Sequence, residues 1–349
     1  MNRFDEQYIF KHATVEDCDM IMGFIRDEWP KKNHILAENK DFFLYEFQNG
    51  QLLNFAVAIR RETGRIDGMM GYLRSSNTKE TLDIWTCMWL TRRKGSIPFL
   101  GMEVMNRMKD MLHYRILCGI GTNPKTALPL AINKANHFAF MMKHFYRLSD
   151  YGDYKIAKIE IPIIPSRPDV RQFTLKPVNT INEIRACVES VGKLSIPLKN
   201  TWYINKRFFC HPIYKYLIWA IIVSGEEKGV LIGREINING RKILRIVEFM
   251  GSQELVGGLY DAFGSLIDVN HYEYIDFYIF GIDDIHLENA GFTLRTAQDP
   301  NIIPNYFEPF VQENVDIYGT SEVPNVRMCK ADADQDRPNI IDGEEVAAN

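Results

Sequence analysis

Hydrophobic positions in the first part of the chain alternate between the spacing typical of strands and the spacing typical of helices. Residues 9–14 predict a strand, and the apolar positions that follow predict a helix. Residues 81–90 form a strongly β-prone run, which leads through a basic loop into a helix with methionines along one side. A buried strand, a helical segment and two closing strands complete a predicted α/β unit over residues 1–160.

The same order of predicted elements returns after a proline-rich segment at 161–170, which can form neither a helix nor a central strand. Leu82 and Ile243 occupy matching positions in the two copies, at an offset of about 160 residues. The pattern therefore predicts a fold of two tandem α/β units. We expect the linker at 161–170, the second unit at 171–330 and a polar, acidic tail at 331–349.

Composition places the chain among ordinary globular proteins. Of its 349 residues 46% are hydrophobic and 25% are charged, and the formal net charge is −4. The longest unbroken apolar run, 216–223, is too short to span a bilayer, and the N-terminal segment lacks the apolar core of a signal peptide. We expect a cytoplasmic protein that binds no membrane.

The placement of cysteines and charged residues argues against disulfides, metal sites and nonspecific binding of nucleic acid. The six cysteines stand singly, without a C-x-x-C pair or a histidine at metal-ligand spacing, so we expect neither a disulfide framework nor a zinc site. Asp332, Asp334 and Asp336 have the spacing of a calcium loop. Arg337 and Gly343 stand where that loop needs a glycine and a glutamate, so we expect no calcium site. Because carboxylates concentrate at the C-terminus, the rest of the chain is close to neutral, and we expect no nonspecific binding of nucleic acid.

The order of the predicted elements resembles that of the GNAT superfamily of acyl-CoA transferases, over about 10–150 and again over about 171–300. The resemblance implies that each half is a mixed, mostly antiparallel sheet flanked by helices. In that superfamily the fourth strand ends in a loop of the form Q/R-x-x-G-x-G/A, whose backbone N–H groups hold the CoA pyrophosphate together with the next helix N-terminus. Here Arg92 to Ile97 supply R-x-x-G, with Ile97 in place of the final glycine.

The resemblance therefore implies an acetyl-CoA site in the first half. Its expected residues are Trp89, Leu90, Thr91, Arg92, Arg93, Lys94, Gly95, Ser96, Gly101 and Asn123. The equivalent loop of the second half, Gly251 to Leu259, has no basic residue, although Asn289 to Phe292 resembles the superfamily's K-x-G-F helix end. We expect the first half to bind acetyl-CoA and the second half to shape an acceptor cleft.

Acetyl transfer to an amine needs a polarised thioester carbonyl, a deprotonated amine and a proton source for the thiolate. His34 is the first candidate for the base, because it lies in the loop where GNAT folds cover the acceptor and because imidazole titrates near neutrality. Asp83 and Glu248, at equivalent places on two strands, are alternatives. The superfamily's usual tyrosine acid is missing, and Tyr146 is a candidate to replace it.

The stretch from residue 304 to residue 339 is too polar to be bulk core, yet it contains aromatic rings that could stack on a base or a sugar. It predicts one wall of the acceptor cleft. The expected substrate-binding residues are His34, Asn305, Tyr306, Phe307, Glu308, Asp336, Arg337 and Asn339. The loop from Trp29 to Leu36 and the two strings NIIPNYFEPF and DQDRPN resemble a bacterial GNAT group associated with surface-polysaccharide sugar biosynthesis.

These observations lead to a first hypothesis of an N-acetyltransferase that uses acetyl-CoA, without a metal, to acetylate a nucleotide-linked amino sugar or an amine appended to it. A tRNA-dependent aminoacyltransferase of the peptidoglycan cross-bridge type is one alternative, although the chain lacks an extended basic patch. A degenerate protein that binds sugar nucleotides without catalysis is the other. The sequence leaves the sugar, the position of the amine and the oligomeric state open.

Overall fold

The computed structural model describes residues 3–30, 33–78 and 82–339, and these form two mixed β-sheets with helices packed on their faces. The strands are β1 Tyr8–Thr14, β2 Gln48–Asn49, β3 Leu52–Arg60, β4 Ile66–Arg74, β5 Asp83–Thr91, β6 Ile116–Ile120, β7 Phe138–Met141, β8 Lys143–Leu148, β9 Thr174–Pro177, β10 Leu217–Val223, β11 Glu226–Ile238, β12 Arg241–Met250, β13 Tyr272–Phe280, β14 Thr293–Leu294, β15 Tyr306–Phe307, β16 Phe310–Val311, β17 Tyr318–Ser321 and β18 Met328–Cys329.

The helices alternate with these strands, as the sequence pattern predicts. They are α1 Arg3–Gln7, α2 Cys18–Glu28, α3 Ile35–Glu38, α4 Lys40–Phe47, α5 Leu100–Met111, α6 Ala127–Ala135, α7 Ile181–Val191, α8 Thr201–Ile204, α9 Glu254–Gly257, α10 Tyr260–Asn270 and α11 Asp284–Asn289. Short 3₁₀ turns cover Val15–Asp17 and Gly192–Leu194, and a π-helical turn at Asn205–Phe209 continues α8.

The two sheets have the same plan. The first has the order β1-β3-β4-β5-β6-β17-β7, and the second has the order β14-β8-β13-β12-β11-β10-β9. In each sheet one central pair is parallel, β5 with β6 and β12 with β13, while the other pairs between these strands are antiparallel. The predicted α/β fold of two related, mostly antiparallel sheets is therefore confirmed, and the duplication is visible in the strand order.

The two halves exchange a strand with each other. β8 leaves the first half and lies between β13 and β14 of the second sheet, while β17 returns from the far end of the chain and lies between β6 and β7 of the first sheet. Whether residues 1–160 and residues 171–330 fold as separate units stays a prediction. In the structure each of these ranges supplies one strand to the sheet of the other. The sequence pattern identifies β8 as a strand but carries no signal for its partner, since pairing joins residues far apart along the chain.

The halves also share a core. The largest apolar cluster includes Phe43, Phe55 and Trp85 from the first sheet side together with Val230 and Met250 from the second. The opposite face of the first sheet packs against α5 through a separate cluster. Because apolar contacts run without interruption from one half to the other, the relative position of the two sheets is set by close packing.

The segment predicted as a polar tail begins inside the protein. Lys330 to Ala333 and Asp336 are 4% exposed or less. Asp332 and Asp336 pair with buried cations, described below, and therefore tolerate removal from water. Residues 340–349 of the predicted tail lie outside the described residues. Among the described residues no helix is long and apolar enough to cross a membrane.

The space around two glycines predicts opposite effects on stability when each is replaced by alanine, and the first of them lies in the exchanged strand β17. A Cβ at Gly319 of β17 would clash with the Phe140 ring and lie 2.9 Å from Gly119 O, so Gly319→Ala should lower the free energy of unfolding by about 1–3 kcal/mol. Gly23 in α2 has no heavy atom within 4 Å of the same position, so Gly23→Ala should raise stability by about 0.5–1 kcal/mol. Denaturant unfolding measures both values, and a stable Gly319→Ala variant would contradict the placement of β17.

Candidate functional site

The central parallel strands of the first sheet separate part-way along their length. β5 and β6 pair from Asp83–Ile116 to Thr86–Gly119 and are not paired beyond that point. Met88 has φ +49° where the register of β5 shifts against β4. A bulge bends the strand that carries it, so β5 turns away from β6 here. We call the opening between Met88 and Ile120–Gly121 the strand gap.

A pocket of about 350 Å³ lies against the strand gap, and we call it the polar pocket. Arg337 Nη1 lies 3.6 Å from Met88 Sδ, and Gln335 Nε2 lies 3.5 Å from Ile120 O. Gly121 has φ +79°, a conformation that favours glycine, and a Cβ there would also displace the end of the Gln335 side chain. The pocket is lined by Tyr214, Arg234, Arg245, Asn305, Tyr306, Phe307, Glu308, Lys330, Gln335, Asp336, Arg337 and Asn339.

The structure brings together all the substrate residues predicted in the C-terminal stretch. Asn305, Tyr306, Phe307 and Glu308 come from one side of the polar pocket, and Asp336, Arg337 and Asn339 come from the other. Glu308 accepts hydrogen bonds from Tyr214 Oη at 2.8 Å and from Asn339 N at 3.2 Å, which joins the two sides. Sequence reasoning missed Tyr214, Arg234 and Arg245, which come from the loop before β10, from β11 and from β12, far away in the sequence. It also missed Lys330 and Gln335, which belong to the C-terminal stretch itself.

Arg245 holds one side of the polar pocket. Arg245 and Asp276 face each other across the parallel β12–β13 pair, and Nη2 donates to Asp276 Oδ2 at 2.5 Å. The same guanidinium donates to Pro304 O and Asn305 O, both at 2.9 Å, and its carbon lies 4.9 Å from the centroid of the Phe307 ring. Arg245 is 1% exposed. One buried cation therefore positions the backbone at Pro304 and Asn305 and the ring of Phe307.

Asp336 organises the other side of the polar pocket. Its carboxylate accepts from Arg234 Nη2 at 2.8 Å and from Tyr216 Oη at 3.0 Å, while its backbone carbonyl accepts from Arg207 Nη2 at 2.6 Å. Burial alone would raise the pKa of Asp336, but Arg234 and Arg207 outweigh it and hold this pKa well below its usual range. Asp336 is therefore an anion that fixes the C-terminal segment in place.

Lys330 is the buried cation of the polar pocket that is not paired. It is 4% exposed and forms no hydrogen bond or ion pair with any other described residue, and its ammonium lies 5.4 Å from the centroid of the Tyr278 ring. Burial, assisted by Arg245, lowers the pKa of Lys330 to about 7. An amine with this pKa is present in both protonation states near neutral pH. A lone lysine in the acidic string CKADADQD was the available sequence signal.

His34, the predicted base, serves a different purpose in the structure. Its Nδ1 accepts from Leu36 N at 3.2 Å at the start of α3, and its Nε2 lies 3.0 Å from Arg337 Nη2. Burial and the Arg337 charge lower the pKa of His34 to about 3, which leaves a very weak base. The geometry therefore favours His34 as a residue that caps α3 and positions Arg337.

The loop predicted to hold the CoA pyrophosphate follows β5 and leads into α5. Arg92 does not point to a ligand, because its side chain bonds Asp67 Oδ1, Glu28 Oε1 and Ile66 O, each at 2.9 Å. Arg93 Nη2 donates to Glu28 O at 3.1 Å, while Lys94 is exposed and forms no contact of this kind among the described residues. Arg92 was predicted to bind acetyl-CoA. In the structure its side chain instead joins the loop to β4 and α2.

The start of α5 suits an anion. Gly95 has φ +88° and open space around its Cα, and the first-turn N–H groups of Gly101 and Met102 have no acceptor among the described residues. Such unpaired N–H groups, at the positive end of a twelve-residue helix, are the usual ligands of a phosphate. The residues around Lys94 and Gly95 therefore fit a pyrophosphate, with Lys94 as the free cation.

Other predicted cofactor residues support this loop from within the protein. Trp89 Nε1 donates to Gly101 O at 3.0 Å, and Leu90 and Thr91 pair with Met69 and Gly68 of β4. Ser96 Oγ donates to Arg92 O at 2.8 Å. Asn123 Oδ1 accepts from Lys125 N and Thr126 N, so it closes the turn before α6. These side chains hold the loop and the turn in shape.

The corresponding gap in the second half is filled by the protein itself. β12 and β13 pair as far as Ile246–Phe277, and Glu248 lies just beyond. Lys199 Nζ donates to Glu248 Oε2 at 2.7 Å and to Asp332 Oδ2 at 2.9 Å, and all three residues are buried. Burial raises the pKa of Glu248 to about 7 against the opposing effect of Lys199. The geometry does not favour Glu248 as a base for an external substrate.

The second glycine-rich loop is also covered. Gly251, Gly257 and Gly258 are buried, Phe173 N donates to Gly258 O at 2.7 Å, and a Cβ on Gly258 would clash with the Phe173 ring. A phosphate cannot reach backbone N–H groups that the chain itself encloses. This arrangement supports the first half as the place for CoA.

Two remaining catalytic candidates lie in structural pairs. Asp83 is fully buried at the start of β5, where Arg115 Nε donates to it at 2.8 Å and Leu198 N at 2.6 Å. Tyr146 belongs to β8 in the second sheet, where its hydroxyl donates to Asp299 at 2.9 Å and accepts from Asn301 at 3.0 Å. Neither lines the polar pocket. Among the described residues no group of three or more His, Cys, Asp or Glu is arranged to hold a metal ion.

The contact between His34 and Arg337 can be measured. Arg337→Met should raise the pKa of His34 from about 3 toward its ordinary 6.5, and burial should keep it below that value. An NMR titration of the imidazole Cε1–H signals from pH 4.5 to pH 8 tests this, with the His34 signal assigned from a His34→Gln spectrum. His211, whose pKa burial and Arg207 lower to about 3, is the internal control. A His34 pKa that is the same in the variant as in the wild type, followed to pH values below 4.5, would contradict the contact.

Comparisons with known proteins agree on the architecture. No family model matches the chain, and no curated protein matches its sequence. A GCN5-related N-acetyltransferase from Anabaena variabilis is 12% identical, with a TM-score of 0.55 over 90% of this chain and 72% of that one. A protein from Enterococcus faecalis described as a probable N-acyltransferase is 10% identical, with a TM-score of 0.54 over 89% of this chain and 71% of that one. The chain therefore has the fold of tandem GNAT-type proteins.

Proposed function

We propose that this protein is an N-acetyltransferase that moves acetyl from acetyl-CoA to the amine of a nucleotide-linked amino sugar, or to an amine appended to such a sugar. One observation carries the proposal. Arg337 and Gln335 line the polar pocket and also contact Met88 and Ile120, the two borders of the strand gap. A thioester in the gap and an amine in the pocket would therefore be neighbours, which is the first requirement of direct transfer.

Acetyl-CoA would approach from the side of α5. Lys94 and the first-turn N–H groups of α5 would hold its pyrophosphate, and the pantetheine would extend into the strand gap. The bulge at Met88 leaves backbone N–H groups outside the β-ladder, where one of them can polarise the thioester carbonyl. The ion triad of Lys199, Glu248 and Asp332 in the other gap supports one CoA site per chain.

The polar pocket suits a small, hydroxylated and charged acceptor. Four cations and two carboxylates surround it, namely Arg234, Arg245, Lys330, Arg337, Asp336 and Glu308. Its charged and amide side chains and the rings of Tyr306 and Phe307 are suited to a sugar ring. Tyr306, which is 41% exposed, would then lie where the nucleotide leaves the pocket and could stack on its base.

Lys330 is the base that the geometry favours in place of His34. It lines the polar pocket and carries no partner among the described residues, so its neutral amine can take a proton from the acceptor's ammonium group. The freed amine attacks the thioester carbon, the C–N bond forms and the C–S bond breaks, and the thiolate takes up the second nitrogen proton. The products are the amide, CoA thiol and one released proton.

Binding of acetyl-CoA tests the first half of the proposal. The double variant Arg93→Ala/Lys94→Ala should weaken binding about 5- to 30-fold, since charge-assisted hydrogen bonds to phosphate contribute on the order of 1–2 kcal/mol together at an exposed site. Calorimetry measures the affinity, and Lys134→Ala, an exposed lysine on α6, is the matched control. Unchanged affinity in the double variant would exclude this loop as the pyrophosphate site.

Turnover tests the second half. Release of CoA should be seen with at least one UDP- or dTDP-linked amino sugar, and kcat/KM should rise with pH through about 7, because Lys330 must lose its proton to act. Lys330→Met should lower kcat/KM by about 10²-fold or more and abolish that limb of the pH profile. Lys330→Arg should lower kcat more than it raises KM, because it keeps the charge but cannot act as a base near neutrality.

The alternatives have distinct outcomes. Binding of sugar nucleotides without any CoA release would favour the degenerate, non-catalytic protein. Transfer that requires aminoacyl-tRNA would favour the cross-bridge type of aminoacyltransferase. Lys134→Met serves as the control for the lysine substitutions, and an activity profile that it shares with Lys330→Met would remove Lys330 from the mechanism.

A further inference from the structure

A second pocket, of about 510 Å³, lies between the halves, and we call it the aromatic pocket. Tyr45 and Glu46 of α4 line it from the first half, and Trp202, Lys206 and Arg207 line it from α8 and the π-helical turn of the second half. Ala333 also lines the aromatic pocket, whereas Gln335, Asp336 and Arg337 line the polar pocket. The buried C-terminal segment thus separates two distinct pockets.

Several residues that line the aromatic pocket carry a buried polar atom without a partner among the described residues. Of the nine buried side-chain N and O atoms that lack a hydrogen bond among the described residues, five belong to residues that line it, namely Asn54 Oδ1, Arg74 Nε, Trp85 Nε1, Tyr203 Oη and Arg207 Nε. Trp85, Asn54, Arg207 and Tyr203 are each at least nine-tenths buried. Buried polar groups are nearly always paired, so such a concentration indicates a missing partner. Three of the five atoms are N–H donors, which call for an acceptor.

Arg207 pairs with Glu46, and Glu46 and Asp336 contribute to raising its pKa against burial, but Arg74 and Lys206 form no ion pair among the described residues. Arg74, Lys206 and Arg207 face Glu46 as the one carboxylate in the lining, and Arg207 Nη1 already takes Glu46 Oε1 at 3.3 Å. Lys206 Nζ donates to the Glu46 carbonyl at 3.4 Å and lies 5.2 Å from the centroid of the Tyr45 ring. Burial lowers the pKa of both Arg74 and Lys206, which indicates cations held without adequate counter-charge.

The aromatic pocket also has an apolar part, beside the polar side chains of Gln48 and Asn49. Leu73 and the rings of Trp85, Trp202 and Tyr45 form most of it, and Arg74 lies 5.5 Å from the centroid of the Trp202 ring. Water can fill a polar cavity, but a neutral molecule does not offset buried positive charge. An anionic head against the cations and an apolar body against the rings would satisfy both parts of the lining.

We propose that the aromatic pocket is a binding site for a small organic anion, a carboxylate with an apolar or aromatic body, separate from the site of acyl transfer. Its carboxylate would accept hydrogen bonds from Arg74, Lys206 and Arg207, and its body would pack on Trp85 and Trp202. Arg207 also donates to the backbone carbonyl of Asp336, which lines the polar pocket, so the occupant would contact a residue that is bonded to the wall of the polar pocket.

Calorimetric titration of the full chain with benzoate tests the proposal. We expect saturable binding with Kd below ~1 mM, a value reasonable for a ligand of this size. Benzamide, which has the same shape without the charge, and phosphate, which has charge without the apolar body, should each bind at least tenfold more weakly. Because no acetyl-CoA or acceptor is present, the result is independent of the proposed transferase activity.

Two variants locate the binding. Arg74→Met and Lys206→Met should each raise the Kd of benzoate tenfold or more, while Lys193→Met, an exposed lysine of the second half, should leave it unchanged. Melting temperatures confirm that each variant is folded. No saturable benzoate binding would mean that the pocket holds water only, and equal binding of benzamide, or affinity unchanged in both variants, would equally overturn the proposal.

Discussion

Reciprocal exchange of β8 and β17 is the constraint on which the rest of the structure depends. Each sheet would have a missing strand without the other half, since β17 pairs with both β6 and β7 and β8 pairs with both β13 and β14. Backbone groups left unpaired by separation of the halves would have to be solvated again. The two sheets are therefore held at one relative position, and the pockets between them have a defined shape.

The C-terminal segment depends on that arrangement. Two of its acidic residues contact three cations: the Asp332 carboxylate accepts from Lys199, the Asp336 carboxylate accepts from Arg234, and the Asp336 carbonyl accepts from Arg207. Ion pairs this deeply buried add little net stability, but removal of one partner leaves an uncompensated charge at a cost of about 3–5 kcal/mol. These ion pairs instead select one path for the backbone of residues 330–337. This segment forms walls of both the polar pocket and the aromatic pocket.

The two halves have diverged at equivalent places. The gap in the first sheet is open beside Met88, while the matching gap in the second contains the triad of Lys199, Glu248 and Asp332. The loop before α5 exposes Lys94, whereas the loop before α10 is covered by Phe173. One copy thus keeps the features that an acyl-CoA would need, and the other contributes Arg245, Asp276 and the supports of the polar pocket. The two copies differ because the second fills its gap with its own side chains and the first does not.

The sequence by itself determined the type and order of the main elements, because strand and helix periodicity is local and apolar side chains must be buried whatever their partners are. It also identified the C-terminal stretch that lines the polar pocket, since rings and hydrogen-bonding groups at that density do not suit a core. Only the tertiary structure decided which sheet β8 and β17 join, and that Arg92, Asp83, Glu248 and Tyr146 lie in internal pairs. It likewise decided that Lys330 lines the polar pocket without a partner among the described residues, and that the His34 ring caps α3 and contacts Arg337. Pairing, burial and charge compensation join residues far apart along the chain, and a pattern read over neighbouring positions does not contain them.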